Sequence, residues 1–506
     1  MTNHVVAYSR ENGGRVLILF LLFFLAMYQF VTAGFPAFAI ICILPFVVLF
    51  LYFTFKFRMF AFWSLIIINY FIQFHSLPQI PFPMSLPNEM LQILLLSIAI
   101  IDARQTPHFD RSVNLMLFAL IIWCIYCTLE IFNDTCGLGI NVVAWYSGVR
   151  LLAFQLVYIF LVFSIYISSP EVLMKYLKLW AFLSLFSAIW TWKQQNIGFT
   201  DTEASFLYGS GRGTHIIQGG TLIRYFSTFS DAANYGCNAA AAAIAFLIFG
   251  ITTKIKKNKW FFIIIAILVT KSMFASGTRT AIFCMVGGFA VFIVLSKSFR
   301  IAIPALLIGS VLLFILAFTK IGHGNQQIRR MRSAFDKNDA SSDVRSINQQ
   351  TMRKYMKDAP WGIGIGMMSS NVPANNKYKL MASIPTDSEY VFIWLRTGKI
   401  GMTIFIITML MMLGGACYIV MFRLRSPSLI GIGGGLCSAF VAIQLGGYAN
   451  QVLYQFPNGL TFYGGLAIVY ILPYLESAWI EYEKKLMAEQ KERERLILEK
   501  KLASRV

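Results

Sequence analysis

Apolar runs of about 17 to 25 residues, each enough to cross a hydrocarbon core roughly 30 Å thick as helix, recur along this chain and leave room for few other architectures. They fall near 16–34, 36–55, 59–75, 113–132, 149–168, 173–193, 232–251, 260–275, 280–296, 301–318, 391–422, 429–449 and 459–475, with a shorter, tilted or incomplete run at 89–101. About twelve to fourteen spans are expected. Composition points the same way: 57% of the 506 residues are apolar, 15% aromatic and only 13% charged, outside the range of a soluble domain. Because lipid offers no partner to an exposed peptide group, such spans must close their own hydrogen bonds. The expected fold is therefore all-α and polytopic.

Loop charges set an expected orientation. KFR at 56–58, MKYLK at 174–178, TKIKKNK at 253–259, SKSFR at 296–300 and RLR at 423–425 each hold at least two lysines or arginines, whereas SLPQIPFPMSLPNE and YANQVLYQFPNG hold none. The positive-inside rule then places both termini in the cytoplasm. The first apolar run is long enough to span and lacks a small-residue cleavage site, as a signal anchor does. The net charge of +20 reads as topology and headgroup attraction, not nucleic-acid binding. In the charged tail 481–506, Glu481 with Lys485 and Glu489 with Arg493 have the spacing of helical ion pairs.

The chain then divides into an N-terminal bundle over 1–318 with an outer loop at 194–231, a large outer loop at 319–390, further spans over 391–475 and the tail from 476. Connections this long carry function more often than they merely connect. In the second loop, SSD at 341–343 can cap a helix whose apolar positions Val344, Ile347, Met352, Tyr355, Met356 and Ala359 recur at helical spacing before Pro360. That helix is expected on the membrane surface. No internal repeat is evident. Cys124 and Cys127 have CxxC spacing inside an apolar run with no second pair, so they read as small buried residues. His75, His215 and His323 show no metal-ligand spacing and read as lone loop residues.

Three arginines stand in polar motifs at the expected outer boundary: Arg224 in RYFSTFSDAANYG, Arg279 in SGTRT, and Arg345 in the stretch before TDSEYVFIWLRTGKIG. An arginine at the edge of a membrane core is costly unless it meets an anion. A helix opening at Ser230, Asp231 and Asn234 would present its N–H groups to a pyrophosphate; equally, Ser230 or Asp231 is a simple cap and Arg224 a headgroup anchor. Arg212, in the same loop, is a further candidate for substrate contact. The glycines of WGIGIG (362, 364 and 366) make a closely approachable loop. Asp387 and Glu389 are acids able to take a proton from a sugar hydroxyl, or else cap the following helix. Nothing resembles a P-loop, a Ser-His-Asp set or a metal-binding DxD pair.

Together, in this order and spacing, RYFSTFSDAANYG, SGTRT, the run from Asp343 and Arg345 through GIGIGM, and DSEYVFIWLRTGKIG resemble the O-antigen ligase and Wzy-type polysaccharide polymerase superfamily of bacterial envelopes. The resemblance covers about a quarter of the chain. It implies a GT-C-like membrane fold and an inverting glycosyl transfer that needs neither metal nor other cofactor, from an undecaprenyl pyrophosphate-linked glycan donor to a glycan acceptor. It further implies that Arg224 and Arg279 neutralise the pyrophosphate and that Arg345 assists, with Ser230, Asn234, Glu389 and Arg212 near substrate. Ligases of the superfamily show His-Asn where this chain has Asp387 and Ser388, which favours a polymerase with Asp387 as base. A ligase acting on lipid A-core or protein, and a lipid-linked oligosaccharide flippase, are the alternatives; a chain-length regulator is a possible partner.

Overall fold

In a computed structural model, residues 13–77, 85–102, 109–217, 222–296 and 340–503 are described, together with scattered positions between 303 and 333. The chain is an all-α polytopic membrane protein. Eight helices among the described residues are long and apolar enough to cross a membrane, from Leu115–Phe132 to Gly459–Ile497, and shorter apolar helices include Met59–Phe71, Ser85–Ile101 and Thr280–Leu295. The 301–318 run lies largely outside the described residues.

Two compact units are distinguishable, Met1–Ser64 and Leu65–Val506. In the first, helices Gly13–Ala33 and Phe35–Lys56 are joined through Gly34 alone. Its φ of 77° is open to glycine at no steric cost.

The second unit is organised around helix Ala232–Thr252, which packs with Lys256–Ala275, Thr280–Leu295 and Pro427–Ala449. Within lipid, helices associate by close van der Waals fit, so small residues collect where backbones meet. Ala239 to Ala243 form one such stripe, all nearly inaccessible, and GIGGG at 431–435 forms another. A Cβ added at Gly431 would lie 1.9 Å from Thr252 Oγ1, and one at Gly288 would lie 2.8 Å from the Ser438 carbonyl.

The 194–231 segment is more structured than a loop. Helix Pro170–Asn196 runs past the expected end at 193. Helix Asp201–Tyr208 follows, opened by a reciprocal capping box between Thr200 and Glu203. Next come a short helix Arg212–His215 and a two-residue antiparallel ladder that pairs Ile216 with Ile223 and Ile217 with Leu222. Glu203, fully buried, accepts from Trp190 Nε1 at 2.7 Å, Gln194 Nε2 at 2.8 Å and Lys193 Nζ at 3.4 Å. Burial pushes this carboxyl up, but the hydrogen bonds from Trp190, Thr200 and Gln194 outweigh it and hold it below the ordinary range.

Helix Ala340–Tyr355 and a tighter turn Met356–Asp358 replace the expected 344–359 helix, ending before Pro360. Met352, Met356 and Ala359 cover a small core with Ile363, Tyr378 and Leu395, whereas Ile347, expected on the same face, is exposed. The glycines after Pro360 serve backbone docking. Helix Glu389–Tyr418 breaks at Gly398 (φ 68°), and there Ile363 N donates to Leu395 O and Gly364 N to Arg396 O, both at 3.0 Å. A Cβ at Gly362 would lie 2.4 Å from the Arg396 carbonyl, and one at Gly366 only 1.8 Å from that of Ala144. WGIGIG is thus a junction between helices rather than an open ligand loop.

Helix Gly464–Ala503 carries the tail without interruption. Its acids reach across instead of following the expected 481–485 and 489–493 spacing: Glu483 pairs with Lys254 and Glu494 with Lys256, and Arg495 meets Glu499.

Candidate functional site

The two motifs around Arg224 and Arg279, more than fifty positions apart in sequence, meet at one end of the bundle. Arg224 is half-buried and its guanidinium is held on three sides: Nε donates to Ser276 O at 3.2 Å, Nη1 to Thr214 O at 2.9 Å and Nη2 to Thr278 Oγ1 at 3.1 Å. The SGT turn approaches so closely because Gly277 adopts φ 58°; a Cβ there would press on Arg224 Cγ at 3.2 Å. Gly236 matters for the same reason, since its Cβ would fall 2.4 Å from Ser276 Oγ. Thr278 Oγ1 also donates to Ala232 O at 2.7 Å, fastening the turn to the first turn of helix 232–252.

Arg279 precedes helix Thr280–Leu295 and donates through Nη1 to Ser333 O at 3.3 Å and Ser333 Oγ at 3.4 Å. That contact brings in helix Gln326–Arg332. Burial pulls Arg224 down to about 10, with the like charges of Arg330 and Arg279 adding to the effect and Asp231 opposing it. Arg224 remains cationic at neutral pH. Three guanidinium groups therefore share one locality, with Asp231 beside Arg224.

The helix end beside them differs from expectation. Asp231 is the cap, its Oδ1 accepting from Ala233 N at 2.8 Å and Asn234 N at 2.9 Å, and Ala232 N donates to His215 Nε2 at 3.1 Å. The N–H groups offered to a pyrophosphate in the sequence reading are thus already occupied. Asn234 is fully buried; it donates to Ser230 Oγ and Phe456 O and accepts from Asn458 Nδ2. Ser230 Oγ lies within hydrogen-bond reach of Gln455 Oε1 at 2.8 Å. Both residues hold the 450–458 segment. Arg212 is exposed on the same short helix as Thr214.

The 450–458 segment also reaches the second set of candidates. Gln451 bonds Thr386 Oγ1, Ser388 Oγ donates to Gly447 O at 3.2 Å, and Leu453 N donates to Glu389 Oε2 at 3.1 Å. Ser388 caps helix Glu389–Tyr418. Asp387 is exposed, with its backbone at φ 53°, an uncommon conformation outside glycine and one that aspartate and asparagine adopt most readily. Strain of this kind concentrates at functional positions. Glu389, only 4% exposed, is a support for the 450–458 segment and not the open substrate contact expected from sequence. Glu389→Gln keeps an acceptor for Leu453 N–H and should leave the melting temperature nearly unchanged, whereas Glu389→Leu orphans that donor at a cost of roughly 1–3 kcal/mol, read as a lower Tm.

Arg345 lies in helix 340–355, but its side chain, like residue His323, falls outside the described residues. Among the described residues no cluster of three His, Cys, Asp or Glu could hold a metal ion. Sequence reasoning missed Arg330, His215 and the amide-rich NQVLYQFPN segment. QQIRRMR carried a signal for the first, and the density of Asn and Gln between two spans carried one for the last.

Residues 265–406 match the family model described as O-Antigen ligase. The resemblance to the O-antigen ligase and Wzy superfamily read from the motifs stands. No curated protein matches the chain. The matched part of the chain contains Arg279, Arg330, Arg345, Asp387 and Glu389; Arg224 and the 450–458 segment lie outside it and join it only through the tertiary structure.

Proposed function

We propose that the protein is a glycosyltransferase that polymerises undecaprenyl pyrophosphate-linked oligosaccharide repeat units on the periplasmic face of the bacterial inner membrane, with both termini cytoplasmic. The observation that supports this reading is the convergence of Arg224, Arg279 and Arg330 at one end of the bundle. Guanidinium forks match the oxygens of a diphosphate, and preorganised donors are worth most where negative charge grows in the transition state.

In this mechanism the acceptor hydroxyl oxygen attacks the donor's anomeric carbon from the face opposite the leaving group. The new C–O bond forms as the bond to the pyrophosphate breaks, the electron pair leaves with the lipid diphosphate, and the hydroxyl proton passes to the Asp387 carboxylate. The product is inverted. Arg224 and Arg279 neutralise the departing diphosphate, with Arg330 beside them and Arg345 assisting, while Thr214, Ser276 and Thr278 hold Arg224 in place.

Deletion of the protein followed by gel analysis of surface glycan tests the reading. One repeat unit on the anchor is the expected result. Long chains left unattached would instead assign ligation, and lipid-linked units retained facing the cytosol would assign flipping and overturn glycosyl transfer.

A further inference from the structure

His215 is not a lone loop residue. It is 1% exposed, packs edge-on against the rings of Phe206 and Phe226, and its hydrogen bonds fix its tautomer. Nε2 faces the backbone N–H of Ala232 at 3.1 Å, and a peptide N–H can only donate, so Nε2 must carry the lone pair. Nδ1 lies 2.9 Å from the Gly211 carbonyl, which can only accept, so Nδ1 carries the hydrogen; Thr214 Oγ1, 2.8 Å away, is compatible with either role. A neutral imidazole satisfies both contacts at once and an imidazolium cannot.

The same few atoms hold Arg224. Its backbone N donates to His215 O at 2.8 Å and its Nη1 to Thr214 O at 2.9 Å. Its Nη2 reaches Thr278 Oγ1, which donates to the carbonyl of Ala232, the residue whose N–H His215 receives. A closed ring of contacts therefore runs from Arg224 through Thr278 and Ala232 to His215 and back along the chain. On the basis of the glycosyl-transfer reading above, we propose that His215, as the neutral Nδ1–H tautomer, is a positioning residue that locks Arg224 against the first turn of helix 232–252, and that its protonation unlocks the arginine and lowers transfer.

Protonation at Nε2 sets N–H against N–H and adds a cation at the positive end of a helix. The charged and titratable groups around the ring are Arg224, Asp231 and His75, with Glu203 behind His75 and Arg330 and Arg279 behind Arg224. Burial draws the imidazole below its ordinary value and Arg224 acts in the same direction; the Gly211 carbonyl and Asp231 oppose them. A histidine held neutral in the fold contributes stability that is complete above the unfolded pKa of about 6.5 and is lost as pH falls below it. The lock is closed at neutral pH and opens in acid.

The test compares wild type with His215→Gln, whose side-chain oxygen can accept from Ala232 N–H without titrating, and His215→Phe, which keeps a ring and no acceptor. Nitrogen-15 histidine spectra of the full chain in lipid nanodiscs, thermal melts and repeat-unit polymerisation in membrane vesicles are followed from about pH 8 to about pH 5. The expected wild-type spectrum is the Nδ1–H tautomer, with Tm and polymer yield falling together in acid. His215→Gln should keep yield within about threefold of wild type at pH 8 and diminish the acid fall in both readouts, leaving the part due to His75, while His215→Phe lowers yield by roughly tenfold at every pH although the protein still inserts. An Nε2–H tautomer, an undiminished acid fall in His215→Gln, or full yield from His215→Phe overturns the proposal. Should wild type show no transfer at all, the glycosyl-transfer reading fails on its own, and the spectra and melts still decide whether His215 is the lock.

Discussion

Arg224→Lys is expected to lower repeat-unit polymerisation by about 100-fold while membrane insertion and abundance stay normal. Lysine keeps the charge, but one ammonium cannot reproduce a planar fork that donates to Ser276 O, Thr214 O and Thr278 Oγ1 from three nitrogens. Loss of one preorganised donor from a site where charge develops costs about 10²- to 10³-fold in rate. Arg224→Ala and Arg279→Ala are expected to abolish chain elongation. Glycan ladders on gels, read beside the protein's abundance in membranes, give the result; long polymer in both alanine variants would remove the arginines from the mechanism.

Asp387→Asn separates a chemical role from a conformational one. Asparagine tolerates the left-handed backbone that aspartate occupies at φ 53°, so the substitution removes a basic oxygen without straining the backbone. Turnover should drop by roughly 100-fold, within the range ordinary for a general base, with the KM for the lipid-linked donor unchanged. Asp387→Ala adds backbone strain of about 1 kcal/mol and should lower Tm as well. An asparagine variant as fast as wild type would leave proton removal to another group.

The spans were legible because length and apolarity alone define them: lipid forbids unsatisfied peptide groups, so an 18-residue apolar run has one stable conformation. The pairing of Arg224 with Arg279 was legible as a common position at the ends of spans. What they touch was not. Gly277 signals a turn in sequence, yet only packing shows that its missing Cβ admits the shaft of Arg224. WGIGIG looks like a ligand loop by composition, and its glycines instead admit the backbone of helix 389–418 at its Gly398 break. Glu389 and Asn234 carry functional-looking side chains that the fold uses internally, because Leu453 N–H and the 456–458 carbonyl and amide groups needed buried partners.

The amino-acid sequence by itself determined that this is a helical membrane protein, where its spans run, and that cationic motifs gather at their ends. These follow from local terms, the transfer of side chains to lipid and the closure of backbone hydrogen bonds within one segment. Tertiary structure alone decided that helix 232–252 has no free N–H groups to offer at its start, that Arg330 joins the other two arginines, and that one amide-rich segment ties Ser230 to Glu389. Hydrogen bonds between distant segments depend on which backbones can approach, and that is set by small residues on facing helices, a property of pairs of surfaces that no single stretch of sequence contains.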